Sequence, residues 1–258
     1  MDFDFINVIL EITVKKSIAG IVAGIAFGVA SMGVLASDWS YEGVEGPEYW
    51  GNLSPDFVMC KSGKNQSPIN ITNLVKGKLP RLDVNYSAAG KEIINNGHTV
   101  QVNYQPGSTL TVDGHAYELK QFHFHTPSEN HINGQPYDLE AHFVHADKDG
   151  NLAVLAVMFK VGKENQALNA VWNDMPKHKG DKVEEKHAID AASLLPKKLA
   201  YYRYNGSLTT PPCSEGVVWL VLKDVQEVSA DQVAKFAGVL KHPNNRPIQN
   251  TNARVVIR

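Results

Sequence analysis

Gln121-Phe-His123-Phe-His125 places two imidazoles two residues apart between phenylalanines. In an extended strand, side chains at i and i+2 project to one face, so His123 and His125 converge. Downstream, Glu140-Ala-His142-Phe-Val-His145 sits in a second apolar run. There His142 shares a face with Glu140, and His145 points to the opposite one. Three imidazoles from two neighbouring strands leave a fourth coordination position open, as in a catalytic rather than a closed structural zinc site. Gln121 and Glu140 stand two places ahead of His123 and His142, where each can orient a ring by hydrogen bonding. A lone His-x-His is more often an accident of a strand. The second strand and the matched partners are what point to metal. His115, His131, His145, His178, His187 and His242 lack such company and read as ordinary polar or packing residues.

The elements that must carry these residues are mostly strands. Residues 99–104, 109–112, 117–125, 139–145 and 152–161 alternate or form short apolar runs. Asp113-Gly114, Asn133-Gly134 and Asp149-Gly150 punctuate them as turns. Residues 164–173 and 231–240 have the pattern of short helices lying against a sheet. No repeat or low-complexity linker interrupts the chain. The expected fold is one mainly β domain on a large, twisted, mostly antiparallel sheet with a few short peripheral helices.

The 258 residues are 43% hydrophobic and 20% charged, enough to bury a sizeable core. A formal charge of -2 argues against a nucleic-acid partner, which calls for a basic excess. Lys15 and Lys16 precede an uncharged, Ala/Gly/Ile/Val-rich run that ends in Val34-Leu35-Ala36, the order of a secretory signal. The alternative is a transmembrane anchor, which four glycines and the small residues at its end disfavour. Residues 1–36 are therefore expected to be a signal peptide and residues 37–258 the functional domain, periplasmic or secreted, with no stable membrane partner. Asp2, Asp4 and Glu11 have the wrong charge for a signal's first segment. Val14, read as an alternative start codon, would restore an ordinary beginning, Met-Lys-Lys-Ser. In an oxidising compartment the two cysteines, Cys60 and Cys213, can pair.

Gln-Phe-His-Phe-His, Glu-Ala-His-Phe-Val-His, Asn95-Asn-Gly-His98 and Ser207-Leu-Thr-Thr-Pro-Pro-Cys213 together resemble the α-class carbonic anhydrases, in particular their bacterial branch. The likeness runs from Trp39-Ser-Tyr41 through Asn65-Gln-Ser-Pro-Ile-Asn70 to Asn244-Asn-Arg246-Pro. It implies a lyase that reversibly hydrates CO₂ to bicarbonate, with Zn²⁺ on His123, His125 and His142. Hydroxide at the zinc would attack CO₂. The metal lowers the pKa of its water to about 7, a value known for this family rather than derived from these residues.

By the same resemblance Thr209 orients the hydroxide and passes its own proton to Glu129, which must stay ionised, while Thr210 contacts bicarbonate and inhibitors. Val144, Val154, Leu208, Val217 and Trp219 match an apolar wall for CO₂, although a β core would contain such residues anyway. His98 matches a proton shuttle, and Tyr41, Asn96 and Gln101 match positions along its water chain. Asn is commoner than Gln at the last of these. Cys60 and Cys213 would form a disulfide anchoring the Thr209 loop, with cis bonds at Ser67-Pro68 and Pro211-Pro212. Sulfonamides would inhibit, and a homodimer is compatible with the bacterial relatives.

Two other readings compete with this one. His123-x-His125 followed by Glu129 and Gly134 resembles the first metal motif of a cupin, in which that Glu is a ligand, but the second cupin motif is absent. A non-catalytic binding module on the same fold would leave Thr209, Glu129 and His98 without use.

Overall fold

The structure, a computed structural model, describes residues 38–87 and 89–258. The signal segment and the Val14 start lie outside the described residues, as does the side chain of His187.

Strands β1 (Asn70–Ile71), β2 (Asp83–Asn85), β3 (Gly90–Asn95), β4 (Val100–Tyr104) and β5 (Thr109–Val112) lead to the longest, β6 (His115–His125). After the short β7 (His131–Ile132) come β8 (Leu139–Ala146), β9 (Leu152–Val161) and β10 (Lys182–Ile189). The last are β11 (Tyr201–Ser207), β12 (Glu215–Leu222) and β13 (Gln226–Val228). One large sheet runs β10-β3-β4-β6-β8-β9-β12-β11, with β5 on β6, β2 on β5 and β13 on β9. Most pairings are antiparallel, as expected. The joins of β9 with β12 and β13 are parallel, so the sheet is mixed. Among the described residues, four α-helices accompany it: α1 (Trp50–Leu53), α2 (Met59–Ser62), α3 (Gln166–Trp172) and α4 (Ala230–Leu240). The two longest match the helical segments expected from the sequence. Ser229 and Gln232 close a capping box that starts α4.

Period-two alternation divides the sheet into two chemically different faces. On one, Phe122, Phe124, Ala141, Phe143, Leu155, Val157, Leu220 and Leu222 bury against α3 and α4 through Trp172 and Phe236. On the other, Val154, Ala156, Met158, Val217, Trp219 and Val221 form a smaller apolar cluster with Ile69 and Ile71. This second face also carries the histidines. Each fully buried large apolar side chain contributes about 1.5–3 kcal/mol, so both faces resist a register slip. A one-residue slip of β6 would turn Phe122 and Phe124 into the site and drive the histidines into the opposite core.

The loop between β11 and β12 is fixed at several points. The N–H of Leu208 donates to Ser214 O (2.9 Å) and that of Cys213 to Thr210 O (2.8 Å). Cys213 is joined to Cys60 by a disulfide across 153 positions. Cis bonds occur at Ser67-Pro68 and Pro211-Pro212, as the resemblance implies, and also at Thr126-Pro127, which was not foreseen.

Candidate metal centre

The register of β6 against β8 sets His123 directly opposite His142 and His125 opposite Glu140. One ring nitrogen from each of His123, His125 and His142 lies within 4.8 Å of the others. His125 and His142 are buried and His123 is partly open.

The remaining nitrogens are held from behind. His123 Nδ1 donates to Gln121 Oε1 (2.8 Å) and His125 Nδ1 to the carbonyl oxygen of Asn244 (2.6 Å). Both partners can only accept, so the proton sits on Nδ1 and the Nε2 lone pair is free. His142 differs: its Nε2 lies 2.9 Å from Glu140 Oε1, out of line for a hydrogen bond, which leaves Nδ1 as the donor atom. Glu140 is fixed by the N–H groups of Glu129 (2.7 Å) and Asn130 (2.8 Å) and by Asn130 Nδ2 (2.8 Å).

His125 Nε2 and Glu129 Oε2 are buried with no hydrogen-bond partner. A buried lone pair in that condition costs about 1–3 kcal/mol unless a cation takes it up. Burial depresses the pKa of all three histidines, and their mutual repulsion lowers His123 and His142 further. They are therefore neutral at pH 7, as metal ligation requires. The donor set fits zinc, three imidazoles with space for a fourth ligand.

Glu129 lies on the ligand side of two histidines, its Oε2 3.6 Å from His125 Nε2 and 3.9 Å from His142 Nδ1. It accepts from the Arg246 N–H at Oε1 (2.9 Å), and the Thr209 hydroxyl lies near enough to pull its carboxyl down. Burial pushes its carboxyl up to about 8, against the pull of those donors and of the Arg246 guanidinium. The expectation that Glu129 stays ionised thus depends on a cation in the histidine cluster. Glu129 is not part of the ligand cluster itself, whereas the cupin motif uses that Glu as a ligand.

The five residues expected to form a CO₂ wall share the second apolar cluster: Val154, Val217 and Trp219 buried, Val144 and Leu208 partly open. Trp219 sets its edge toward His142, ring centroids 4.9 Å apart. Thr210 lies in the same loop as Thr209 and is partly exposed.

The residues expected along a proton path are less uniform. His98 stacks on Trp39, centroids 3.7 Å apart, and burial, helped by Lys179, lowers its pKa to about 4. Tyr41 lies edge-on to His98 at 6.5 Å, and burial and Glu129 raise its phenol. Asn96 Oδ1 accepts from the N–H groups of His98 and Thr99, both 2.9 Å, so it shapes the turn that carries His98. Gln101 Nε2 donates to Asn103 Oδ1 (2.6 Å).

Asn244 and Arg246 went unnoticed as working residues, although both stand in the motif Asn244-Asn-Arg246-Pro. Asn244 Nδ2 donates to the carbonyls of His98 (3.0 Å) and Phe124 (2.8 Å), tying the His98 turn to the metal strand. The Arg246 guanidinium is buried on Gln66 Oε1 and the Ser67 and Cys60 carbonyls.

Residues 45–258 match the eukaryotic-type carbonic anhydrase family. The chain belongs to the α-carbonic anhydrases. It is 53% identical to a carbonic anhydrase of Neisseria gonorrhoeae over 233 residues, covering 90% of this chain and 92% of that one. The solved α-carbonic anhydrase of Thermovibrio ammonificans, in complex with the inhibitor sulfanilamide, superposes with a TM-score of 0.85. It is 52% identical, over 86% of this chain and 99% of the other. The Photobacterium profundum enzyme gives 0.82 at 49% identity, over 86% of this chain and all of that one. Membership of this carbonic anhydrase family supports reversible hydration of CO₂ as the activity of this lyase.

Proposed function

We propose that the chain hydrates CO₂ to bicarbonate at a zinc ion held by Nε2 of His123, Nε2 of His125 and Nδ1 of His142. The observation that carries this reading is the convergence of those three atoms while every opposite ring nitrogen faces a protein oxygen. When bound, zinc supplies a Lewis-acidic centre that makes a water acidic near neutral pH.

The chain's own residues do the rest. Thr209 donates its proton to Glu129, so its oxygen is left as an acceptor toward the cleft. It therefore favours a group that brings a proton, such as water or a sulfonamide N–H, over one that brings none. Glu129 holds that arrangement when ionised, and the charge of a dication bound at His125 Nε2 favours ionisation. The Val144, Val154, Leu208, Val217 and Trp219 wall offers no hydrogen bonds and suits a nonpolar substrate. Thr210 is placed to meet the product anion.

Hydration releases a proton, and His98 is the imidazole at hand to carry it out. In the stack on Trp39 it is a weak base, so taking a proton at neutral pH requires it to leave the stack. Tyr41 and Gln101 border that route, and Asn96 holds the turn beneath it.

Residues 37–258 form the catalytic domain and residues 1–36 the export signal. The Cys60–Cys213 disulfide supports a periplasmic or secreted location, where such bonds persist. Stopped-flow CO₂ hydration with and without a sulfonamide tests the reading.

A further inference from the structure

A second cleft, of about 560 Å³, shares no residue with the histidine site. Five cations line it: Arg81, Lys197, Lys198, Lys223 and Arg258. No acidic side chain does. Among the described residues none of the five has a carboxylate within ion-pair distance, whereas Lys179, Lys182 and Arg203 sit against Asp38, Glu92 and Asp113. The side chains of the five bring five positive charges to one cleft. In a chain of formal charge -2, that is a concentrated asymmetry.

The cleft is also preformed. Tyr201 Oη donates to Pro80 O (2.9 Å), pinning the floor to the segment that carries Arg81. Arg258 exchanges backbone hydrogen bonds with Val75 (3.0 Å) and Gly77 (3.2 Å), and the Lys223 N–H donates to Ala200 O (2.8 Å). Lys223 Nζ is held over the Tyr202 ring at 4.9 Å. Holding like charges together without partners is unfavourable, and a bound anion relieves it. Guanidinium forks match phosphate-type oxygens, and each such group carries about −1.5 to −2 charges with three acceptors. Two or three of them balance the excess within the volume.

We propose that this cleft binds a compact oligoanion bearing two or three phosphate-type groups, either free or as a lipid headgroup. The proposal does not depend on the zinc chemistry. Tripolyphosphate titrated into the folded protein by calorimetry tests it, in parallel with sedimentation on vesicles of phosphatidylcholine alone or with a phosphomonoester lipid. Arg81 and Lys198 are exposed, so the double variant Arg81→Glu/Lys198→Glu is expected to fold, and Lys197→Gln/Lys198→Gln gives a milder comparison. The expected result is saturable binding that weakens at least about tenfold in the first variant, less in the second, and falls with salt. CO₂ hydration stays unchanged. Binding of tripolyphosphate alone identifies a soluble ligand; sedimentation with the charged vesicles, lost in the variant, identifies a headgroup. Binding in neither assay, or binding indifferent to both variants, overturns the proposal.

Discussion

His125 donates through Nδ1 to the carbonyl oxygen of Asn244 at 2.6 Å, across 119 positions of chain. That bond fixes which nitrogen faces the metal site. The Asn244 side chain holds the carbonyl in place, donating to His98 O and Phe124 O and accepting from the Thr126 N–H at 2.8 Å. Asn244→Ala keeps the carbonyl but frees it to move. Zinc affinity should fall by about 10- to 100-fold, measured by competition with a chelator. His142→Ala, which removes one of the three proposed ligands, should lose far more. Unchanged affinity in Asn244→Ala would show that the carbonyl needs no support.

His98 supplies a kinetic test. His98→Ala should reduce turnover in dilute buffer by about a hundredfold and leave kcat/KM nearly intact, with external imidazole restoring the rate. Trp39→Ala removes the stacking partner and should move the His98 pKa from about 4 toward its ordinary value, because burial is the largest cause of the depression. Titration by NMR reads this directly. A His98→Ala enzyme with full turnover in dilute buffer would assign the proton to another group.

The histidine strands were legible because alternation alone places His123, His125 and His142 on one face and the phenylalanines on the other. The partners of those histidines were legible where they are local, as with Gln121. Asn244 was not, because its bond to His125 depends on a tertiary contact that no periodicity encodes. The parallel joins to β9 were hidden for the same reason: β12 reads as an apolar strand whichever way it runs. The Glu129 environment was legible only in part. Thr209 could be named as its partner from the motifs, Arg246 could not, and the lift of its carboxyl comes from complete burial, which the sequence of a loop does not reveal.

His145 makes stability fall in acid. It is fully buried, its Nδ1 3.1 Å from Ala153 O and its Nε2 2.5 Å from the Tyr86 hydroxyl. Burial lowers its pKa to about 4. The unfolded chain takes up a proton near pH 6.5 and the folded one only near 4. The stability is therefore complete above 6.5 and is lost as pH falls through that window. The loss reaches about 3 kcal/mol. His145→Gln should flatten the denaturant midpoint between pH 6.5 and 4. An equally steep profile in the variant would place the acid sensitivity elsewhere.

The Cys60–Cys213 disulfide closes a loop of 153 positions and anchors the segment that carries Thr209. In the chain-entropy description such a loop is worth about 5 kcal/mol as an upper figure. Reduction should lower the Tm and, by loosening Thr209, reduce activity before global unfolding. Melting and activity that are both indifferent to reductant would refute this.

The most direct test of the zinc site as a CO₂ hydration centre is stopped-flow hydration by the purified mature chain, loaded with zinc, with and without a sulfonamide. Fast turnover abolished by the sulfonamide is the predicted result. A folded, zinc-loaded protein that leaves the uncatalysed rate unchanged would contradict it.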